Sequence, residues 1–168
     1  LVVSPVWAQP TQVQLFELSN SIVHVVVDLK NGRTGSGSGA VIDPHHVATN
    51  CHVLADSRGV AITKFHDNYN PVAIKADWKH DLCLLKFDYA LPFKPVALRD
   101  SASLHYEEPV FAISYPNDTP VPQPSYGSVK AIYPYDGSVI IRTDAAFALG
   151  SSGGALFDQE YNLIGVTT

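Results

Sequence analysis

The sequence predicts an all-β protein, folded as a β-sandwich or as β-barrels. Short apolar runs rich in β-branched residues recur about every 8–12 residues, a spacing typical of such folds. Turn-forming residues separate these runs throughout the chain, with 11 Gly and 12 Pro among 168 residues. Long amphipathic helical patterns are missing, and the best helix candidate is Gln12–Ser21. Many short strands and few helices together favour a sandwich or barrels.

The candidate strands are rich in Val, Ile, Leu or Phe and are bounded by polar turns. They are Ile22–Asp28, Thr34–Ile42, Val47–Thr49, Gly59–His66, Val72–Trp78, Leu82–Phe87, Pro109–Ser114, Gly127–Tyr133, Ser138–Thr143, Ala155–Phe157 and Leu163–Thr168. Asp136-Gly137 lies between two apolar runs and predicts a type I′ hairpin turn. The proline-rich loop Pro116–Pro124 divides the strands into two sets, and Asn50–Ala55 is expected to hold a short helical turn.

The composition is that of an ordinary globular domain, with 46% hydrophobic and 16% charged residues. A chain of 168 residues can bury roughly 70% of its unfolded surface, so folding requires neither a metal nor a dense disulfide framework. The formal net charge is −5 and the basic residues are scattered, which argues against a nucleic-acid partner. No apolar run reaches the roughly 18 residues of a membrane-spanning helix, so no membrane span is expected.

The first eight residues, Leu1–Ala8, resemble the tail of a secretory signal peptide. They are apolar, and Val6 and Ala8 stand at the small-residue positions before a cut at Gln9. An ordinary N-terminal strand is the alternative. Export would place residues 9–168 in an oxidising compartment, where disulfides persist.

A serine between glycines, in the segment Gly150–Gly154 (GSSGG), is the most informative feature of the chain. Such a turn can expose the hydroxyl of Ser152 next to backbone N–H groups that bind an anion. The pattern also satisfies the G-x-S-x-G elbow of α/β-hydrolases, but those enzymes need a histidine after the serine. No His follows His105, so the base must lie upstream. A plain Gly/Ser hairpin turn is the alternative.

Two upstream segments supply the partners that such a serine needs. His52 ends one predicted strand and Asp81 begins another. A histidine can take the serine proton, and a shielded carboxylate can hold its tautomer. Each residue alone would more often be structural, but the order His, Asp, Ser is that of chymotrypsin-type proteases.

These motifs together resemble a bacterial trypsin-like serine protease, closest to the HtrA (Deg) type. The segments that carry the resemblance are Gly35–Ile42 (GSGSGAVI), Thr49–Val53 (TNCHV), Asp81–Leu85 (DLCLL), Gly127–Ala131 (GSVKA), Thr143–Ala146 (TDAA), Gly150–Leu156 (GSSGGAL) and Leu163–Val166 (LIGV). The intervals of 29 residues from His52 to Asp81 and 71 from Asp81 to Ser152 are short, as in the compact bacterial members. Ser151 departs from the Asn or Asp usual before the nucleophile, which argues against the activation switch of digestive enzymes.

The resemblance implies two six-stranded antiparallel β-barrels, the first over residues 20–100 and the second over 105–168, with a His52–Asp81–Ser152 triad between them. It implies a serine endopeptidase that works through an acyl-enzyme, with the N–H groups of Gly150 and Ser152 as the oxyanion hole. Related chains continue beyond the position of Thr168. The second barrel is therefore expected to be incomplete at its C-terminus, and this chain alone to turn over weakly.

The same resemblance assigns Ala146, Phe147, Thr167 and Thr168 to the substrate-binding site, and it implies a bond from Thr168 to Asp81. An apolar pocket there would favour a small or medium aliphatic residue before the scissile bond. If His52 and Asp81 are in contact, Cys51 and Cys83 come within the Cα range that a disulfide requires. A Cys51–Cys83 disulfide is therefore expected, with two buried thiols as the alternative.

Other functions need to be weighed against a peptidase. A catalytically silent homologue would bind peptide or protein in the same cleft. A zinc-binding β-domain would use Cys51, His52, His80 and Cys83, although the adjacency of the first two is against it. The glycine-rich segment Gly35–Gly39 lacks the Lys-Ser/Thr that follows a phosphate-binding loop. The expected partners are polypeptides, without a cofactor or a metal, and the oligomeric state stays open.

Overall fold

The structure, a computed structural model, describes residues 8–168. The predicted signal-peptide remnant, apart from Ala8, lies outside the described residues. Within them, thirteen strands form two sheets that curl as half-barrels. The predicted all-β class is therefore confirmed.

The first sheet contains seven antiparallel strands in the order β5-β4-β1-β2-β3-β7-β6. Their bounds are β1 Ile22–Leu29, β2 Thr34–Asp43, β3 His46–Thr49, β4 Ser57–Lys64, β5 Asp67–Tyr69, β6 Ala73–Asp77 and β7 Leu82–Lys86. The expectation of six strands missed β5. This short strand follows a turn at Phe65 and His66, which both have left-handed φ values, 53° and 70°. Neither residue is a usual turn former at positive φ, so the sequence carries no signal for it.

The second sheet contains six strands in the order β11-β10-β9-β12-β13-β8. Their bounds are β8 Ala97–Leu98, β9 Pro109–Ser114, β10 Gln123–Tyr135, β11 Ser138–Thr143, β12 Ala155–Phe157 and β13 Asn162–Val166. The two-residue strand β8 pairs in parallel with β13, although it falls in the range expected for the first barrel. It is too short to show a periodic pattern.

The hairpin between β10 and β11 confirms the predicted turn. Tyr135 pairs with Ser138, and Asp136 and Gly137 both have positive φ. Strand β10 begins at Gln123 rather than at Gly127, because Gln123 and Pro124 pair with the end of β9. Pro124 can take part in this pairing because proline lacks only the N–H donor and keeps its carbonyl acceptor. The proline-rich loop is therefore shorter than expected.

One helix, α1, spans Gln12–Ser19 and is capped by Thr11. The Thr11 hydroxyl accepts from the Gln14 N–H at 3.2 Å, and the Gln14 side chain accepts from the Thr11 N–H at 2.8 Å. This reciprocal capping satisfies two donors that a helix start leaves free. In the part of the chain that the structure describes, no helix has the length and apolarity needed to cross a membrane.

Apolar packing joins the two sheets as well as filling each of them. A core formed by β1, β3, β4 and β7 lies inside the first sheet. A second core brings Ile22 and Ala40 of the first sheet against Phe111 and Phe157 of the second, all of them fully buried. Burial of such side chains contributes about 1.5–3 kcal/mol each. The junction therefore holds the two sheets at a defined distance, and the candidate site lies at this junction.

Candidate active site

His52 and Asp81 come together at the end of the β3–β7 ladder. Thr49 pairs with Cys83, so the residues that follow β3 meet those that precede β7. His52 lies in a short 3₁₀ turn, His52–Leu54. Its Nδ1 lies 2.6 Å from Asp81 Oδ2, and its backbone N–H donates to Asp81 Oδ1 at 2.8 Å. Two contacts therefore fix the carboxylate relative to the imidazole.

The surroundings of Asp81 keep its carboxyl group ionised. Partial burial by itself raises the pKa of Asp81, but hydrogen bonds from the His52 backbone and ring outweigh it. The charge of His52 and a hydrogen bond from the Thr168 hydroxyl, 3.1 Å from Oδ2, act in the same direction. The net result is a pKa below the ordinary value for aspartate. An ionised acceptor at Nδ1 selects the tautomer whose Nε2 is free to accept a proton.

A disulfide joins Cys51 and Cys83, next to this pair. Their Cα atoms are 5.0 Å apart, and both residues are fully buried. Cysteines bonded in this way present no thiolate to zinc. His52 and His80 also bond to different carboxylates, those of Asp81 and Asp77. The geometry thus argues against the Cys₂His₂ alternative.

The two adjacent serines have different environments. Ser151 is 3% exposed, and its Oγ bonds to Ser114 Oγ at 3.1 Å and to the Ala148 N–H at 3.2 Å. Ser152 is half-buried and lines the same cleft as His52. Within residues 8–168 no hydrogen bond joins the Ser152 hydroxyl to His52. Catalytic contacts are often long before substrate binds, so Ser152 is the accessible nucleophile candidate.

Backbone carbonyls of the serine loop, residues 149–153, are anchored to other elements. The Leu149 carbonyl accepts from the Asn117 N–H at 2.5 Å, and the Ser151 carbonyl accepts from the Thr167 hydroxyl at 2.5 Å. In a trans peptide the next N–H points away from the carbonyl. The N–H groups of Gly150 and Ser152 are therefore directed away from these anchors. Within the described residues neither of them donates to a protein acceptor.

Glycine is required at position 150 for two reasons. Its φ is +85°, in the left-handed region, and a Cβ there would lie 2.4 Å from the Tyr115 carbonyl oxygen. Only glycine adopts such a backbone without strain. The residue type therefore permits the close approach that orients the Gly150 N–H.

A cleft of about 710 Å³ contains these groups. Val27, Leu29 and Val53 line its first-sheet side, and Phe147 and Leu149 line its second-sheet side. Polar and charged residues, among them Lys30, Asn31 and Asp56, line it as well, so the cleft combines apolar walls with polar groups that can orient a ligand.

The predicted substrate-binding residues divide into two groups. Phe147 and Thr168 line the cleft, whereas Ala146 and Thr167 do not. Thr167 is buried and its hydroxyl is committed to the Ser151 carbonyl, so it supports the serine loop instead of meeting a ligand. Ala146 is exposed outside the lining of the cleft. The assignment of these two residues to the substrate-binding site stays a prediction without support from the cleft.

Ser38 of β2 is a site residue that sequence reasoning missed. It is fully buried and bonds to the backbone of the serine loop through both its N–H and its hydroxyl. The available signal was its position between Gly37 and Gly39, since glycines inside a strand often mark a close approach by another backbone. A Cβ at Gly37 would lie 3.0 Å from the Ser152 carbonyl oxygen.

Known proteins share sequence and fold with this chain. Residues 37–166 match the family described as trypsin-like peptidase domain. A relative in Rickettsia prowazekii, described as a probable periplasmic serine endoprotease DegP-like, is 34% identical over 142 residues, which are 79% of this chain and 28% of that protein. The periplasmic pH-dependent serine endoprotease DegQ of Escherichia coli is 28% identical over 144 residues, 80% of this chain and 31% of its own length. The chain thus spans about a third or less of these relatives.

Solved structures share the fold. An HtrA-type protease, AlgW, solved with a tripeptide superposes with a TM-score of 0.81 at 23% identity, covering 92% of this chain and 52% of the other. A Mycobacterium tuberculosis protease in its active form gives a TM-score of 0.77 at 20% identity, covering 99% and 80%. The predicted chymotrypsin-type fold and the resemblance to HtrA-type proteases are confirmed.

Proposed function

The chain belongs to the trypsin-like peptidase family, and we propose that it hydrolyses peptide bonds through His52, Asp81 and Ser152. The observation that carries this proposal is the His52–Asp81 pair, joined at 2.6 Å, in one cleft with an accessible Ser152. The backbone N–H groups of Gly150 and Ser152, which donate to no protein acceptor among the described residues, lie in the same loop as that serine. A nucleophile, an oriented base and anion-binding donors are the parts that acyl transfer needs.

The reaction follows from the hydrogen-bond roles of these groups. Asp81 accepts the proton of His52 Nδ1, so His52 Nε2 takes the Ser152 proton as Oγ bonds to the substrate carbonyl carbon. The carbonyl oxygen becomes negatively charged and is bound by the N–H groups of Gly150 and Ser152. His52 then gives its proton to the leaving amine, the C–N bond breaks, and an acyl-enzyme remains on Ser152. Water, deprotonated by His52, hydrolyses this ester and frees Ser152.

The residue before the scissile bond is proposed to be uncharged, with small or medium aliphatic residues preferred. Asp144 precedes the serine loop, and its carboxylate accepts from the Ser128 N–H at 2.8 Å and lies 3.8 Å from Lys130 Nζ. It is therefore not free to select Arg or Lys. Phe147 narrows the cleft on the second-sheet side. One methylene changes binding in such pockets by only about 1–3 kcal/mol, so the preference is broad.

The chain is also proposed to work in an exported, oxidising compartment such as the periplasm. The names of two relatives carry the word periplasmic, and the Cys51–Cys83 disulfide persists only where the surroundings are oxidising. Leu1–Ala8 has the composition of a signal-peptide tail. Measuring the chain in periplasmic and cytoplasmic fractions of a host cell tests this proposal.

Labelling with a fluorophosphonate probe tests the peptidase proposal. We expect one adduct per chain, mapped by tandem mass spectrometry to Ser152 and not to Ser151, and no adduct in Ser152→Ala. His52→Ala should label far more slowly, because its serine keeps its proton. A folded wild-type chain that does not label would favour the silent homologue, and an adduct in Ser152→Ala would refute the assignment of the nucleophile.

A further inference from the structure

Ser38 contacts the serine loop at two points that flank both free amides. Its hydroxyl lies 2.7 Å from the Gly150 carbonyl oxygen, and its backbone N–H donates to the Ser152 carbonyl oxygen at 2.7 Å. The segment between these two carbonyls contains Ser152 N–H, and Gly150 N–H immediately precedes it. One residue of the first sheet therefore contacts the serine loop on both sides of the Ser152 amide.

The direction of each hydrogen bond is unambiguous. The Ser38 hydroxyl also lies 2.8 Å from the Tyr115 backbone nitrogen. That nitrogen is only a donor and the Gly150 carbonyl is only an acceptor, so Ser38 Oγ accepts from Tyr115 and donates to Gly150. The hydroxyl thus donates one hydrogen bond and accepts another, and Ser38 is completely buried.

The serine loop needs such an anchor because Gly150 restrains its own backbone weakly. A glycine at φ +85° has no side chain to limit rotation of the neighbouring peptides. Ser38, by contrast, is held inside β2, where its carbonyl accepts from the Thr49 hydroxyl at 2.7 Å and it pairs with His24 of β1. A rigid strand residue thus holds the Gly150 and Ser152 carbonyls, which the anchors at Leu149 and Ser151 leave unbonded.

We propose that Ser38 is a positioning residue, which fixes the Gly150–Ser152 backbone so that both amides point at the developing oxyanion. It acts through the loop and does not touch substrate. This inference rests on the proposed function of Ser152 and its neighbouring amides. It extends the site by one buried hydroxyl on the opposite sheet.

The variant Ser38→Ala removes the hydroxyl and keeps the backbone N–H. Ser21→Ala is the matched control, because Ser21 is also buried and its hydroxyl donates to a carbonyl, that of Lys94, at 2.5 Å, away from the serine loop. For Ser38→Ala we expect kcat on a peptide substrate to fall about 100-fold, since small misplacement of reacting groups has effects of that size. KM should change less than about threefold, because the hydroxyl contacts no substrate.

A peptide aldehyde provides a second readout. It forms a tetrahedral adduct with the serine, and its oxygen occupies the oxyanion position. Its affinity should fall in Ser38→Ala by about the same factor as kcat, while Ser21→Ala keeps wild-type values of both. A variant damaged only in stability would lose signal in proportion to its unfolded fraction and would keep the kcat and affinity of its folded molecules.

Measurements on the wild-type chain distinguish a failure of the proposed peptidase function from a failure of the proposed role of Ser38. A folded wild-type chain that neither turns over nor labels at Ser152 with a fluorophosphonate would refute the proposed function, whereas wild-type turnover with an unchanged Ser38→Ala would refute the role of Ser38. Nuclear magnetic resonance tests Ser38 in either case. We expect new microsecond-to-millisecond exchange at the amides of Gly150 and Ser152 in Ser38→Ala and none in Ser21→Ala. Amides as rigid as those of the wild type would overturn the inference.

Discussion

On the first-sheet side of the cleft, His52 and Asp81 are held by side chains and by a disulfide, whereas on the second-sheet side Ser152 is held through backbone carbonyls. The His52–Asp81 pair has two direct contacts, and the Cys51–Cys83 bond lies beside it. The serine loop is instead anchored peptide by peptide, by donors far away in the sequence such as Asn117 and Ser38. The first-sheet side, with His52 and Asp81, is called the histidine side, and it is built from neighbouring strand ends. The second-sheet side, with Ser152, is called the serine side, and it depends on the junction between the sheets.

The largest effect on kcat is expected from a substitution that breaks the contact between His52 and Asp81. Asp81→Asn should lower kcat about 10⁴-fold, because a neutral amide no longer selects the productive His52 tautomer. Asp77→Asn is the matched control, since Asp77 holds His80 at the same 2.6 Å outside the cleft. Steady-state kinetics on one peptide should show a loss only in the Asp81 variant. Equal losses in both would show that the His52–Asp81 contact has no special role.

Removing the disulfide should weaken the fold more than the chemistry. The bond closes a separation of 32 residues, so replacing both Cys51 and Cys83 by Ala should lower the free energy of unfolding by about 3–4 kcal/mol. Urea titration measures this change, and kcat of the folded fraction should stay close to that of the wild type. Reductant should destabilise the wild type and leave the double variant unchanged. A reductant-insensitive wild type would contradict the bond.

The junction between the two sides contains a buried cation, Lys64. Its Nζ donates to the carbonyls of Ser19 and Ile22 at 2.5 and 2.6 Å and to the Tyr115 hydroxyl at 3.1 Å. Burial lowers the pKa of Lys64 from 10.5 to about 8. Between pH 8 and pH 10.5 the unfolded chain keeps the Lys64 proton, whereas the folded chain has released it. The free energy of unfolding therefore rises with pH across this range.

This shift predicts a pH dependence that can be measured by urea unfolding. From pH 8 to pH 10 the free energy of unfolding should rise by about 2–3 kcal/mol more in the wild type than in Lys64→Met. Burial also raises the pKa of Tyr115 to about 12, which lowers stability only above its ordinary range near 10. Lys75→Met, at an exposed residue of β6, should follow the wild type. Parallel pH profiles for wild type and Lys64→Met would contradict the burial of this charge.

The smallest effect is expected from loosening one anchor of the serine side. Thr167→Val removes the hydroxyl that bonds the Ser151 carbonyl at 2.5 Å, while the Gly154 N–H still bonds it at 3.0 Å. We expect kcat to fall roughly 10-fold with little change in KM, because the Ser152 N–H is aimed less firmly. Thr63→Val on β4, away from the loop, is the matched control. An unchanged kcat in Thr167→Val would show that the remaining anchors suffice.

The same contrast explains what could be predicted from the sequence. On the histidine side, the sequence places His52 and Asp81 at the ends of recognisable strands with Cys51 and Cys83 beside them, and the resemblance to trypsin-like proteases implied that His52 and Asp81 meet. Pairing of β3 with β7 then brings all four together. Local patterns suffice where a site is built from strand ends that are neighbours in one ladder.

The serine side could be located but not described. Gly150–Gly154 identified the loop, yet the roles of Ser38, Asn117 and Thr167 depend on how two sheets meet. Backbone hydrogen bonds of this kind use groups that every residue carries, so residue types give no warning of them. Thr167 is an example, because its hydroxyl donates to the Ser151 carbonyl and not into the cleft. Strand β5 was missed because its turn uses Phe65 and His66.

The central claim is that Ser152 forms an acyl-enzyme. It is tested most directly by mixing the chain with an activated ester of a short aliphatic peptide, quenching within milliseconds to seconds, and measuring the intact mass. We expect a transient adduct of one peptidyl group on Ser152, a burst of leaving group equal to the enzyme concentration, and neither in Ser152→Ala. Hydrolysis that proceeds without an adduct and persists in Ser152→Ala would contradict it.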